Sequence, residues 1–230
     1  MVSIPPALQA VRARIVRACA AAGRDSSEVS LLAVSKTQPA VIVEEAFHAG
    51  QCAFGENFVQ EGIDKIHALS ALPIEWHFIG ALQANKTRAV AENFHWVHGV
   101  DRLKIAQRLS AQRPAGMPAL QVCIQVNVSS EDSKSGISPE QTGEFAMALR
   151  DLPNLRLRGL MAIPEPVAEV SMQRRQFAVL ARLRSQLLRS GIALDTLSMG
   201  MSADLEAAIA EGATIVRVGT AIFGSRHSAL

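Results

Sequence analysis

The chain predicts a single (β/α)8 barrel of the TIM type, an α/β fold running over residues 1–230 as one domain. Three observations predict it. Eight short apolar runs alternate with stretches of helical period, and repeated βα units imply a parallel sheet with right-handed crossovers. The length, 230 residues at 49% hydrophobic, falls near the short end of the roughly 200 to 400 residues of such barrels. No GxGxxG fingerprint follows the first strand, so a doubly wound open sheet fits less well.

The elements follow in order. Pro5–Ala22 reads as an amphipathic helix ended by Gly23. Ser30–Val34 is the first strand, and Pro39–Ala49 is a helix stopped by Gly50. Cys52–Gly55 and Glu75–Ile79 are the next strands, each followed by a helix, at Phe58–Ser70 and Ala84–Glu92. His95–His98 leads to a helix over Arg102–Gln112. Pro114, Gly116 and Pro118 turn the chain into the fifth strand, Leu120–Val126. A polar loop then precedes the helix Pro139–Arg150. Leu155–Leu160 is the sixth strand, followed by a long helix near Val170–Ser190 that Gly191 caps. Leu194–Ser198 is the seventh strand, and Ser202 stands as N-cap of a helix over Ala203–Glu211. Ile215–Val218 is the eighth, running into Gly219 and Thr220.

Composition excludes several functions. The net charge of +2 and the lack of a long basic block argue against a nucleic-acid surface. No stretch has membrane-spanning length, and no apolar signal region opens the chain. Cys19, Cys52 and Cys123 show no metal or disulfide spacing, which fits a reducing, cytoplasmic compartment, with Cys123 as a small core residue. The ten aromatics are eight Phe and two Trp, so no mechanism can use a tyrosine.

Barrels place their chemistry just past the carboxyl ends of the strands. Those positions hold Ser35 and Lys36, then Glu56 and Asn57, then Gly80, Asn127 and Met161. Ser198, Gly200 and Ser202 follow the seventh strand, and Gly219 and Thr220 follow Arg217 on the eighth. A lysine at the mouth of a core strand either snorkels to solvent or, if desolvated, becomes a nucleophilic amine able to form a Schiff base with an aldehyde. The last two clusters join hydroxyls, glycines and a helix start on the pair of strands where barrels often bind phosphate. Asp204 would repel an anion if it faced inward, so it is expected to point outward. An aldehyde-seeking lysine opposite a phosphate cradle suggests pyridoxal 5′-phosphate. Arg217 would then donate to the pyridine nitrogen, keep it unprotonated and make the ring a poorer electron sink.

These residues occur in segments that resemble a known family. LLAVSKTQP, FGENFVQE, WHFIGALQANKTR, LRGLMAIPEP, SMGMSADLEAAI and VRVGTAIFG span nearly the whole chain in order. They are similar to the pyridoxal phosphate homeostasis proteins, relatives of the alanine racemase N-terminal barrel. The resemblance implies a type III barrel binding pyridoxal 5′-phosphate. It assigns the Schiff base to Lys36, the phosphate to Ser202, Gly219 and Thr220, and the pyridine nitrogen to Arg217. Ser198 and Asn57 are further contributors. It also implies a role in vitamin B6 homeostasis and, indirectly, in the balance of amino- and keto-acid pools, without catalytic turnover. The implied partners are the cofactor or related vitamer phosphates and apo-enzymes that need it, and the implied state is a monomer.

Two other functions compete. A racemase needs acid and base groups on both faces of the substrate carbon. Lys36 could serve one face, but the racemase tyrosine has no counterpart here and the second, β domain is missing. A Schiff-base aldolase would use the same lysine without a cofactor and would be colourless. Among the other polar residues, His77 is expected to be packed and hydrogen-bonded within its strand. Lys86 and Arg88 are expected on a solvated helix face, and Lys134 in solvent beside the mouth. His48, His67, His95, His98 and His227 show no metal spacing.

Overall fold

The computed structural model describes residues 3–129 and 135–224. In chain order its elements are α1 (Ile4–Ala21), β1 (Ser30–Val34), α2 (Ala40–His48), β2 (Ala53–Glu56), α3 (Val59–Ala68), β3 (Glu75–Phe78), α4 (Thr87–Asn93) and β4 (Trp96–Val100). Then come α5 (Leu103–Gln112), β5 (Leu120–Gln125), α6 (Thr142–Arg150), β6 (Leu155–Met161), α7 (Val170–Arg189), β7 (Thr196–Ser198), α8 (Leu205–Ala210), β8 (Ile215–Val218) and α9 (Thr220–Phe223). The eight strands are parallel and close into a barrel in sequence order. Closure is made by β8 against β1, with Leu32 opposite Arg217 and Ala33 opposite Val218. That seam brings the end of the first strand beside the end of the last.

Alternation along each strand divides the side chains into two cores. One set points outward under the helices, where Phe54, Phe78, Phe94, Ile105, Leu149 and Phe177 pack as a continuous apolar shell. The other set points into the lumen. There Leu32, Ile79 and Ile215 form one small cluster, and Trp96, Cys123 and Met161 form another. Cys123 is the core residue expected, and burial pushes its thiol up to about 12.

Three helices start two or more residues later than the sequence reading, and the strand ends shift by up to two. The helix expected over Ala84–Glu92 opens with a 3-10 turn, Ala84–Lys86, and becomes α-helical from Thr87, whose hydroxyl bonds the Ala84 carbonyl (2.9 Å). The helix expected from Pro139 starts at Thr142. Most consequential, Ser202 caps no helix: α8 begins at Leu205 after a turn, with Asp204 in the cap position. Asp204 stands at the N-terminus of α8, where a carboxylate suits the helix dipole as expected, but it is half-buried rather than fully outward. Its Oδ1 accepts the Met201 N–H at 2.6 Å, and burial raises its carboxyl, with Arg217 opposing that rise. The turn is held from outside by Arg14 of α1, which donates to the Ser202 carbonyl (3.1 Å) and pairs with Glu206 (2.9 Å).

Candidate functional site

At the carboxyl end of the barrel a cavity of ≈ 340 Å³ opens, bounded by Lys36, Asn57, Ser202, Arg217, Gly219 and Thr220. Its size lies within the usual range for small-molecule sites. A cavity of similar volume, ≈ 310 Å³, opens at the opposite mouth. What singles out the first is its chemistry: an amine, two hydroxyls, a guanidinium and a bare glycine face one space. Six of the seven residues expected to hold the cofactor line it. The seventh, Ser198, is fully buried beneath it, and its hydroxyl belongs to the arginine.

Lys36 sits on a loop that a buried ionic cluster clamps. Lys65, on the inner face of α3, donates to the Ser35 carbonyl (2.7 Å), to Glu56 (2.7 Å) and to Glu61 (2.6 Å). The Ser35 hydroxyl also donates to Glu56, at 2.6 Å. Glu56 is fully buried, and desolvation raises its carboxyl while Lys65 draws it back. On the far side of Lys36, Glu61 accepts the Thr37 N–H at 2.5 Å. Thr37 lies at φ 65, a region that β-branched residues rarely occupy, so the backbone carries strain one residue from the lysine. The cluster fixes the carbonyl before Lys36 and the amide after it. Sequence reasoning missed it, although Glu61 and Lys65 stand at i,i+4 and Lys65 falls on the buried face of its helix.

Arg217 forms the other wall. Its guanidinium donates to the Ser198 carbonyl (2.6 Å), the Ser198 hydroxyl (2.8 Å) and the Ala162 carbonyl (2.8 Å). Burial pulls it down to about 10, so it stays a cation at neutral pH. Behind Ser198 stand His98 and His77, both buried. His77 is packed and bonded within its strand as expected, stacking on Trp96 at 5.2 Å. The role of His98 was not legible from spacing. Its signal was parity, since it points into the lumen beside His77.

Close approach requires glycine at position 80 and favours it at 219. A Cβ on Gly80 would lie 2.2 Å from the Asn57 carbonyl oxygen, so glycine there lets the Asn57 loop fold over the strand end. A Cβ on Gly219 would meet the Val34 carbonyl at 3.1 Å, across the β1–β8 seam. Asn57 Oδ1 is buried and has no hydrogen-bond partner among the described residues. An unpaired buried oxygen at the cavity edge suits a ligand donor. The residues therefore fit a phosphorylated aldehyde: an amine, hydroxyl and amide groups, and a permanent cation. Lys86 and Arg88 are exposed, as expected. Lys134 and His227 lie outside the described residues.

The fold and this lysine-to-arginine cavity define a class, the barrel half of the alanine racemases. Residues 7–227 match the family described as Alanine racemase, N-terminal domain. Within that class the chain belongs to the family of pyridoxal phosphate homeostasis proteins. It is 62% identical to the Pyridoxal phosphate homeostasis protein of Pseudomonas aeruginosa over 226 residues, covering 98% of this chain and 97% of the relative. The protein of the same name from Escherichia coli strain K12 is 54% identical over 226 residues, 95% of each chain. Among solved structures, PipY of Synechococcus elongatus with PLP bound superposes with a TM-score of 0.77 at 37% identity, covering 91% of this chain and 100% of that one. An alanine racemase of Clostridium difficile shares the fold alone, with a TM-score of 0.72 at 14% identity, covering 95% of this chain and 57% of its own. No helix among the described residues is long and apolar enough to cross a membrane.

Proposed function

We propose that this protein binds pyridoxal 5′-phosphate in the cavity at the carboxyl end of the barrel, held covalently through the Lys36 amine, and serves vitamin B6 homeostasis rather than turnover. The observation that carries this reading is that Lys36, Asn57, Ser202, Arg217, Gly219 and Thr220 border one cavity. The relatives' name and the PLP-bound PipY support it. When bound, the group supplies an aldehyde that takes amines and a pyridine ring that accepts electrons.

The chain's own residues supply the rest. The Ser35–Thr37 loop presents the Lys36 amine from one wall, its backbone held by Lys65 and Glu61. Ser202 and Thr220 offer hydroxyls to a phosphate, and the bare Gly219 leaves room for it. Ser198 acts from beneath by holding Arg217. Arg217 would hold the ring nitrogen, and because a guanidinium can only donate, that nitrogen would stay an acceptor and the ring would be a weaker electron sink. With no tyrosine in the chain, the opposing acid–base group of a racemase has no counterpart. This favours holding and release. Apo-enzymes that need the cofactor are the takers this reading implies, with a monomer in the cytoplasm as the carrier.

The test is the visible spectrum of the purified protein with added pyridoxal 5′-phosphate, before and after borohydride, with peptide mapping. The wild type is expected to show a reducible band and a modified Lys36, and Lys36→Ala to show neither. A colourless wild type would overturn the reading in favour of an aldolase.

A further inference from the structure

A line of hydrogen bonds crosses the barrel lumen from the cavity to the opposite mouth. Arg217 donates to Ser198 Oγ at 2.8 Å. Ser198 Oγ meets His98 Nδ1 at 2.8 Å. His98 Nε2 meets His77 Nδ1 at 2.9 Å, and His77 Nε2 meets Glu75 Oε1 at 2.7 Å. Glu75 and His77 line the ≈ 310 Å³ cavity at the amino end, while Arg217 lines the one at the carboxyl end.

The two ends dictate the direction of every bond between them. Arg217 has donors only, and an ionised Glu75 has acceptors only. Ser198 therefore accepts from Arg217 and gives its proton to His98 Nδ1. His98 donates from Nε2 to His77 Nδ1, and His77 donates from Nε2 to Glu75. In this arrangement each group has its partner and each histidine carries one proton. The reverse arrangement faces a bare His77 nitrogen against a carboxylate and leaves the serine hydrogen to find another acceptor. Burial lowers the pKa of both histidines, which agrees with one proton on each. Glu75 is held as an anion chiefly by the His77 bond, with Trp96 and His95 also favouring the charge.

We propose that Glu75, His77 and His98 are positioning residues for the cofactor pocket: as a one-way line of hydrogen bonds they orient Ser198, and through it the Arg217 guanidinium. The proposal deepens the pyridoxal phosphate reading and rests on it for its effect on binding, while the direction of the bonds is a property of the protein alone. It makes a residue at the far mouth of the barrel a determinant of how the ring nitrogen is met.

The experiment is nitrogen-15 NMR of labelled histidines in the ligand-free protein at neutral pH, with titration of pyridoxal 5′-phosphate alongside. In the wild type, His77 and His98 are expected as neutral tautomers protonated on Nε2. Glu75→Lys puts a donor where the acceptor stood and is expected to move the proton of both rings to Nδ1. With the serine–arginine contact disturbed, cofactor affinity is expected to fall about tenfold and the absorbance band to shift, the loss of roughly one hydrogen bond. Glu75→Gln, whose oxygen can still accept, is expected to restore the wild-type tautomers and band. An Nδ1 proton on His98 in the wild type, or an Nε2 proton that persists in Glu75→Lys, overturns the proposal. So does a changed tautomer with unchanged cofactor binding. A wild type that takes up no cofactor fails the binding reading instead, and the tautomers distinguish the two cases.

Discussion

The two walls of the cavity are held by opposite kinds of chemistry. The Lys36 wall is secured by charge: Lys65 sits among Glu56, Glu61 and the Ser35 carbonyl, all within 2.7 Å. The Arg217 wall is secured by neutral groups, since the guanidinium touches two carbonyls and a hydroxyl, with two uncharged histidines behind. The difference follows from where each lies. The Lys36 cluster lies under α3, where a helix brings a long cation to strand-end carboxylates. Among the described residues Arg217 bonds no carboxylate directly, and Asp204 acts on it only through space, so its charge rests on dipoles. A cluster of charges fixes a backbone loop firmly but fails badly if one partner is lost. A line of neutral bonds loses less when one partner is changed, because no buried charge is left uncompensated.

Breaking the charged wall is expected to have the largest effect. Lys65→Met leaves Glu56 buried without its cation, at a cost of about 3–5 kcal/mol. Chemical denaturation would show this as a lower midpoint at unchanged slope, with weaker cofactor uptake as the Lys36 loop loosens. An unchanged midpoint would mean that the cluster does not hold the loop. Forcing the walls apart comes next. Gly219→Val would push into the Val34 carbonyl at the seam, an overpacking cost of about 1–3 kcal/mol. Cofactor affinity should fall with the melting temperature, because the seam joins the two walls.

The smallest effect is expected from the neutral wall, and pH reveals it. Burial first, then His77 and Arg217, depress the pKa of His98 well below 6.5. As pH falls below 6.5 the unfolded chain takes up a proton that folded His98 refuses, so stability falls with pH in that window. His98→Asn removes this uptake and should flatten the stability–pH slope there by about 1.4 kcal/mol per pH unit. Denaturation midpoints between pH 5 and 7 measure it. An equal slope in the variant would mean that His98 titrates normally in the fold.

Much of this was readable in the residues. Ile215–Val218 was placed to the residue, and β1 likewise, because a run of β-branched and aliphatic residues ending in a polar or glycine step has a single strand reading. The positions that line the cavity were legible for the same reason, since strand ends in a closed barrel share one mouth. The misplaced start of α8 shows the limit. Ser202 and Asp204 are equally good caps by type, and the turn between them is held by a contact that no local pattern shows, Arg14 donating to the Ser202 carbonyl from 188 residues away.

Sequence alone determined the alternation of strand and helix, the parallel barrel it implies, and the placing of Lys36 and Arg217 at strand ends, because period and polarity are local properties. The tertiary structure decided which groups compensate one another. It gave Ser198 to Arg217 and His98 rather than to the cavity, put Lys65 under the Lys36 loop, and aligned five side chains from four strands into one line of hydrogen bonds. Such pairings depend on distances set by barrel closure, and a buried charge or donor takes whichever partner closure brings within reach.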